Sequence, residues 1–175
     1  MQQLETKNFI IQNIELSDAD FIITLVNSPS WIANIGQRNI SNTTESQEYI
    51  QSRFIDTYNS YGFAMYGIAL RASKELIGIC GLILREGLLF PDIGFALLEQ
   101  YQGQGIGYEA ASAILKYECN KNGFDKILAI TLPTNIPSKK LLMKLGFRFE
   151  DFVFLPQDEE ELELYAYQHN KKSIS

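Results

Sequence analysis

The sequence predicts one α/β (α+β) domain, built on a mixed, mostly antiparallel sheet of about six to seven strands flanked by about four helices. Three observations carry that expectation. Three apolar runs, residues 63–70, 75–84 and 90–98, are separated by short polar turns and form an antiparallel meander. A glycine-rich turn then leads into a segment with Ile106, Ala110, Ala113, Ile114 and Tyr117 at helical spacing, a stripe that must face a sheet. The length of 175 residues fits a single domain over 1–175, with a flexible tail from about residue 169.

Taken in chain order, residues 8–14 form an opening strand. Ser17-Asp18-Ala19-Asp20 is a capped start of a helix running to about Asn27. Ser28-Pro29-Ser30 breaks that helix, and a polar loop carrying Trp31, Gly36 and Arg38 follows. Thr43 or Thr44 caps a second helix to about Ser60. Beyond the meander and the long helix, residues 127–131 are a short buried strand and residues 135–145 a helix ended by Gly146. Strands over 147–155 and 162–167 close the chain, with the acidic run Asp158-Glu159-Glu160-Glu161 as a solvated turn between them.

Composition narrows the function classes. Hydrophobic residues make up 46% and charged residues 21%, with a mean hydropathy of −0.09, as in soluble globular proteins. The longest apolar run, residues 77–84, is far short of the roughly 18 residues that span a bilayer. No basic region leads into an apolar segment at the amino terminus, so a cytoplasmic address and no membrane partner are expected. Fifteen Lys and Arg against 21 Asp and Glu give a net charge of −6 and a pI near 4.8, the wrong sign for a phosphate-backbone binder. Nucleic acid is therefore excluded as an expected partner, while cationic substrates are weakly favoured by long-range steering. Cys80, Cys119 and the single histidine, His169, do not make a Cys/His zinc site, and no metal is expected. The same count disfavours a Ser-His-Asp hydrolase, and Cys80 fits buried packing.

Chemistry concentrates in Gln102-Gly103-Gln104-Gly105-Ile106-Gly107, directly after the strand at 93–97 and directly before the amphipathic helix. A strand, a glycine turn and a helix start aim several unpaired backbone N–H groups and a positive helix end at one point, which suits phosphate oxygens. Glycine lets the anion approach the backbone. A dinucleotide fingerprint needs a third glycine where Tyr108 stands, and a P-loop needs a Lys after its last glycine, so both familiar phosphate motifs fail. Another pyrophosphate ligand is implied.

Gln102-x-x-Gly105-x-Gly107 resembles the Q/R-x-x-G-x-G/A signature of the GNAT superfamily of N-acetyltransferases. The likeness extends through residues 92–97, Tyr108-Glu109-Ala110-Ala111, Asn135-x-x-Ser138 and Lys144-Leu145-Gly146-Phe147. Nearly the whole chain is similar to the ribosomal-protein-alanine acetyltransferase (RimJ/RimL-like) branch. The resemblance implies the GNAT acyl-CoA acyltransferase fold, with a splayed parallel pair at 93–97 and 127–131. It also implies acetyl-CoA as donor, its pyrophosphate wrapped by the backbone of Gln102, Gly103, Gln104, Gly105, Ile106, Gly107 and Tyr108. Phe95, Ala96 and Leu97 would receive the pantetheine arm and polarise the thioester carbonyl, and Asn135 would also bind the arm while capping its helix. A monomer or homodimer acting on an amine acceptor is expected.

Many members of the family place an acidic tyrosine seven residues after that asparagine, where this chain has Leu142. Ser138 shares a helix face with Leu141, Leu142 and Leu145 and is the substitute candidate for protonating the leaving thiolate, as well as a cofactor contact; its alternative is a helix-start role. Asp92 is the candidate general base, its alternative a strand-edge residue after Pro91. Glu109 is assigned a structural role. Trp31, Arg38, Tyr61 and Tyr66 are candidate walls of the acceptor cleft, where aromatic faces suit an amine. The expected activity is direct transfer of acetyl from acetyl-CoA to a primary amine, a protein N-terminus or a small molecule. The alternative is a catalytically weak acyl-CoA sensing module of the same fold.

Overall fold

Apolar residues on both faces of the central strands force the sheet to be covered on both sides, and the computed structural model, which describes residues 3–156 and 160–169, shows how. The strands are β1 (Leu4–Glu5), β2 (Phe9–Gln12), β3 (Met65–Leu70), β4 (Leu76–Ile83), β5 (Asp92–Leu97), β6 (Lys126–Thr131), β7 (Arg148–Val153) and β8 (Leu162–Gln168). They form one sheet in the order β1-β2-β3-β4-β5-β6-β8-β7. Every neighbouring pair is antiparallel except β5 and β6. The eighth strand is the two-residue β1, too short to leave a periodic signal.

The helices are α1 (Ala19–Val26), α2 (Pro29–Ile35), α3 (Thr43–Ile50), α4 (Asp56–Tyr61), α5 (Ile106–Asn122) and α6 (Ile136–Leu145). A π-helical turn, Gln51–Ile55, joins α3 and α4 into one continuous rod. α5 and α6 cover one face of the sheet over a core that includes Ile68, Leu82, Ile93, Ile114, Ile127 and Leu142. α1, α2 and α3 cover the other, with Ile22, Leu25, Trp31, Ile50, Ile79 and Leu98 at its centre.

Three local expectations change. Pro29 does not lead into a loop; it occupies the first turn of α2, where its missing N–H costs nothing, and Ser28 caps that helix by accepting from Trp31 N–H. Asn42 rather than a threonine caps α3, accepting from Glu45 N–H at 3.0 Å. The first helix opens on a short 3₁₀ turn, Leu16–Asp18, closed by a reciprocal box between Glu15 and Asp18. In the acidic turn between β7 and β8, Asp158 and Glu159 lie outside the described residues, as does the tail beyond His169.

The feature that positions a site is the separation of β5 from β6. Asp92 registers with Leu128, and Leu128 N–H donates to the Pro91 carbonyl at 2.9 Å. The pairing ends there. Asp92 and Ile93 are buried, whereas residues 94–97 are half-buried. Meanwhile β6 turns its other edge to β8 over its whole length, from Lys126 opposite Gln168 to Thr131 opposite Glu163. The two parallel strands thus share a closed root and an open upper half.

Candidate active site

Backbone geometry defines one wall of the open half. Leu98 N–H donates to the Ile77 carbonyl at 2.9 Å, and β5 pairs with β4 without a register break. In an antiparallel ladder successive residues alternate the edge they address. Residues 94, 96 and 98 therefore address β4, and Phe95 and Leu97 turn their N–H and C=O groups toward β6, past the last parallel pair. Of these groups, the Leu97 carbonyl receives Gln102 Nε2 at 2.9 Å. The remainder form a free strand edge, able to pair with an extended, amide-bearing chain.

The loop above this edge is shaped by glycine. After a 3₁₀ turn, Glu99–Tyr101, Gly103 and Gly105 take φ of +73° and +81°, a left-handed conformation that a side chain would strain. A Cβ at either position would meet nothing within 4 Å, so the outer side of the loop is open. Gly105 is the N-cap of α5 and offers no side chain; the first helical bond there runs from Glu109 N–H to the Gly105 carbonyl at 3.1 Å. The N–H groups of Ile106, Gly107 and Tyr108 are the helix-start donors that lack intrahelical acceptors. Gly107 lets α6 come close, since a Cβ there would stand 3.1 Å from Leu141 Cδ2. Lys144, from the last turn of α6, lies 4.3 Å over the Tyr108 ring and brings a cation beside these donors. Several directed N–H groups, a helix dipole and a nearby ammonium suit a pyrophosphate.

The opposite wall is the start of α6. Asn135 caps it, its Oδ1 accepting Ser138 N–H at 3.2 Å, so its amide NH₂ faces outward with no protein partner among the described residues. The Ser138 hydroxyl likewise has no partner among the described residues, and both side chains are partly exposed. Leu142, one turn on, is buried in the core. Lys139 reaches the Pro133 carbonyl and, at 2.8 Å, Glu163 of β8, which also accepts Tyr165 O–H at 2.6 Å; this network pins the first turn of α6 to the sheet.

Asp92 sits at the closed root of the splay. It is 1% exposed, and Arg85 Nε lies 3.0 Å from both of its oxygens. Burial pushes its pKa up to about 6, and Arg85 opposes part of that rise. Glu109 accepts from the Asn8 backbone and side chain, tying the first turn of α5 to the start of β2.

The four expected acceptor-cleft residues separate. Trp31 is in α2, buried in the apolar cluster that includes Ile79 and Leu98, with its indole N–H on the Gly36 carbonyl at 3.1 Å. Arg38 is exposed beyond α2, its guanidinium turned back toward the Gln37 and Ile35 carbonyls. Tyr66 requires correction. Tyr66 faces the α5 side, fully buried, its hydroxyl donating to Glu118 Oε1 at 2.6 Å. Tyr61 closes α4 beside Phe63, and the adjacent Gly62 carbonyl is held by Lys121 from the last turn of α5. With 17 residues, α5 is about 25 Å long, so Tyr61 stands a helix length from the glycine loop. Aromatic identity alone does not separate a cleft wall from a core residue.

Sequence reasoning missed Arg85, Ser30 and Glu99. Ser30 N–H donates to Glu99 Oε1 at 3.1 Å, and Ser30 Oγ receives Gln102 Nε2 at 3.0 Å. Contacts spanning 69 and 72 residues leave no local signal.

A splayed strand edge beside a glycine-built helix start suits an extended, amide-bearing ligand that ends in a pyrophosphate, as an acyl-CoA does. Comparison with known proteins agrees: the family described as Acetyltransferase (GNAT) domain matches residues 8–148, and the chain belongs to that family of acetyl-CoA-dependent acyltransferases. An uncharacterized N-acetyltransferase of Bacillus subtilis is 28% identical over 84% of this chain and 83% of its own. The Escherichia coli [ribosomal protein uS5]-alanine N-acetyltransferase is 29% identical over 57% of this chain and 53% of its own. Among solved structures, the ribosomal-protein-S5-alanine acetyltransferase of Vibrio fischeri superposes with a TM-score of 0.82 at 18% identity, covering 98% of both chains. A RimL ribosomal L7/L12 α-N-protein acetyltransferase in complex with coenzyme A superposes with a TM-score of 0.72 at 16% identity, covering 95% of this chain and 98% of that one. Among the described residues no helix is long and apolar enough to cross a membrane.

Proposed function

We propose that this acetyltransferase moves acetyl from acetyl-CoA to a primary amine, a protein N-terminus or a small-molecule amine, by direct attack. The observation that supports it is the open edge of β5 leading through the glycine turn to the N–H groups of the α5 start, which lack intrahelical acceptors. Acetyl-CoA supplies an activated thioester; transfer forms the C–N bond and breaks the C–S bond, the amine giving up one proton to solvent and the departing sulfur taking one, so the step is proton-neutral overall. In this reading the backbone of residues 102–108 holds the pyrophosphate. The edge at Phe95 and Leu97, with the amide of Asn135, holds the pantetheine arm, and the N–H groups of that edge meet the charge that grows on the carbonyl oxygen; Ala96, expected to join them, instead spends its backbone groups on β4. Ser138 holds the proton for the sulfur, its hydroxyl having no protein partner to compete. Asp92, shut off from solvent and held by Arg85, fixes the root of the splay rather than serving as base.

The test is thiol release from acetyl-CoA against a panel of amines and Ala- or Ser-initiated peptides, with calorimetry of acetyl-CoA binding. Amine-dependent release is expected, and Ser138→Ala should slow it by at least about tenfold with acetyl-CoA binding intact. Unchanged turnover in Ser138→Ala removes that residue from the mechanism. Binding without release for any amine would favour a sensing module, the reading to which the buried Leu142 in place of an acidic tyrosine points.

A further inference from the structure

We propose that Ser30 is a positioning residue that ties α2, on the face of the sheet opposite α5, to the cofactor loop, so that filling the loop is felt at α2. The proposal rests on the assignment of residues 102–108 to acetyl-CoA. Gln102 opens that loop, and its Nε2 donates both to the Leu97 carbonyl at 2.9 Å and to Ser30 Oγ at 3.0 Å. The Leu97 carbonyl belongs to the free edge of β5. One carboxamide therefore joins the strand edge, the loop and α2. Glu99 adds a second link by accepting Ser30 N–H at 3.1 Å.

The hydroxyl link is not needed to make the helix. Ser28 supplies the cap of α2, and Ser30 meets it only through a 3.4 Å hydroxyl contact. Ser30 addresses the segment between β5 and α5 through both its N–H and its hydroxyl. Beyond Gln102 the loop is lightly held: Gln104 Nε2 donates to the Gln100 carbonyl at 2.7 Å, while Gly103 and Gly105 face open space. An anion drawn onto the N–H groups of this loop shifts Gln102, and the Ser30 bond carries the shift into α2. The next residue, Trp31, is buried in the same apolar cluster as Ile79 and Leu98, so its surroundings change when α2 shifts. The outer side of α2 presents Ile32 and Ile35 to solvent, an apolar wall whose position depends on the state of the loop. By reciprocity, a ligand resting on that wall changes cofactor affinity by the same factor as cofactor changes its own.

Trp31 is the only tryptophan in the chain and adjoins Ser30, so its emission reports on α2. Coenzyme A is titrated into wild type, Ser30→Ala, Ser30→Thr and Glu99→Ala, with Trp31 emission and calorimetry followed in parallel. Wild type is expected to change emission in step with calorimetric occupancy. Ser30→Ala should bind coenzyme A within about threefold of wild type yet lose most of the emission change, and Ser30→Thr, which keeps the hydroxyl, should restore it. Glu99→Ala cuts the second link without touching Ser30 and should lose about half or more of the change. Full occupancy with silent Trp31 in wild type overturns the proposal, as does a wild-type emission change in both Ser30→Ala and Glu99→Ala. Absence of calorimetric binding in wild type overturns the loop assignment itself, and this proposal with it.

Discussion

Replacing Asp92 by asparagine separates a structural carboxylate from a catalytic one. Asp92 is 1% exposed and is paired through both oxygens with Arg85 Nε. Burial raises its pKa from 3.8 to about 6, and Arg85 opposes only part of the rise. The folded protein then binds this proton more tightly than the unfolded chain, so the contribution of Asp92 to stability falls as pH rises from about 4 to about 6. At about 1.4 kcal/mol per pH unit, the complete fall is on the order of 3 kcal/mol. Asparagine keeps the shape and carries no titrating proton, and Arg85, at 32% side-chain exposure, remains hydrated in the variant. The stability of Asp92→Asn relative to wild type should therefore increase by on the order of 3 kcal/mol between about pH 3.5 and pH 7. Urea unfolding of both proteins across that range measures it, because every other carboxylate cancels in the difference. A difference independent of pH refutes the reasoning. Loss of turnover in the same variant by about 100-fold, with the fold intact, would return Asp92 to the role of base.

Two further substitutions test the surrounding framework. Asn135→Ala removes both the cap of α6 and the outward amide, and should cost about 1 kcal/mol in thermal or urea unfolding while raising the KM for acetyl-CoA; a stability loss with unchanged KM would leave the residue a cap alone. Tyr66→Phe removes the hydroxyl that donates to Glu118, whose carboxylate burial already raises in pKa, and should cost about 1–3 kcal/mol at neutral pH. An unchanged urea midpoint would show that Asn122, the other donor to Glu118, suffices.

Long elements were legible because their signals are local. The meander follows from alternating apolar runs and short turns, and α5 from the Ile106, Ala110 and Ile114 stripe, which indeed faces the sheet. What escaped depends on partners or on a single residue's ambiguity. Pro29 ends a helix when met from one side and begins one when met from the other; the Ser28 hydroxyl on Trp31 N–H decides for a beginning. The π turn at Gln51–Ile55 inserts a register slip into a helix that periodicity treats as uniform. Tyr61 and Tyr66 have the composition of a cleft wall, yet one stands at the far end of α5 and the other is enclosed with Glu118.

The two halves of the site differ in legibility for a physical reason. The donor half is made of backbone: left-handed glycines at 103 and 105, a helix start and a strand edge without a partner. Such groups point where the local conformation sends them, and glycine spacing records that conformation in a handful of consecutive residues. The links to α2 are made of side chains whose meeting depends on the whole sheet, as when Ser30 meets Glu99 and Gln102. A chain can therefore keep a recognisable donor loop while side chains gathered from distant segments change. If α2 follows the loop as proposed, a change at Ser30 moves the Ile32 and Ile35 face without disturbing the backbone groups of residues 102–108.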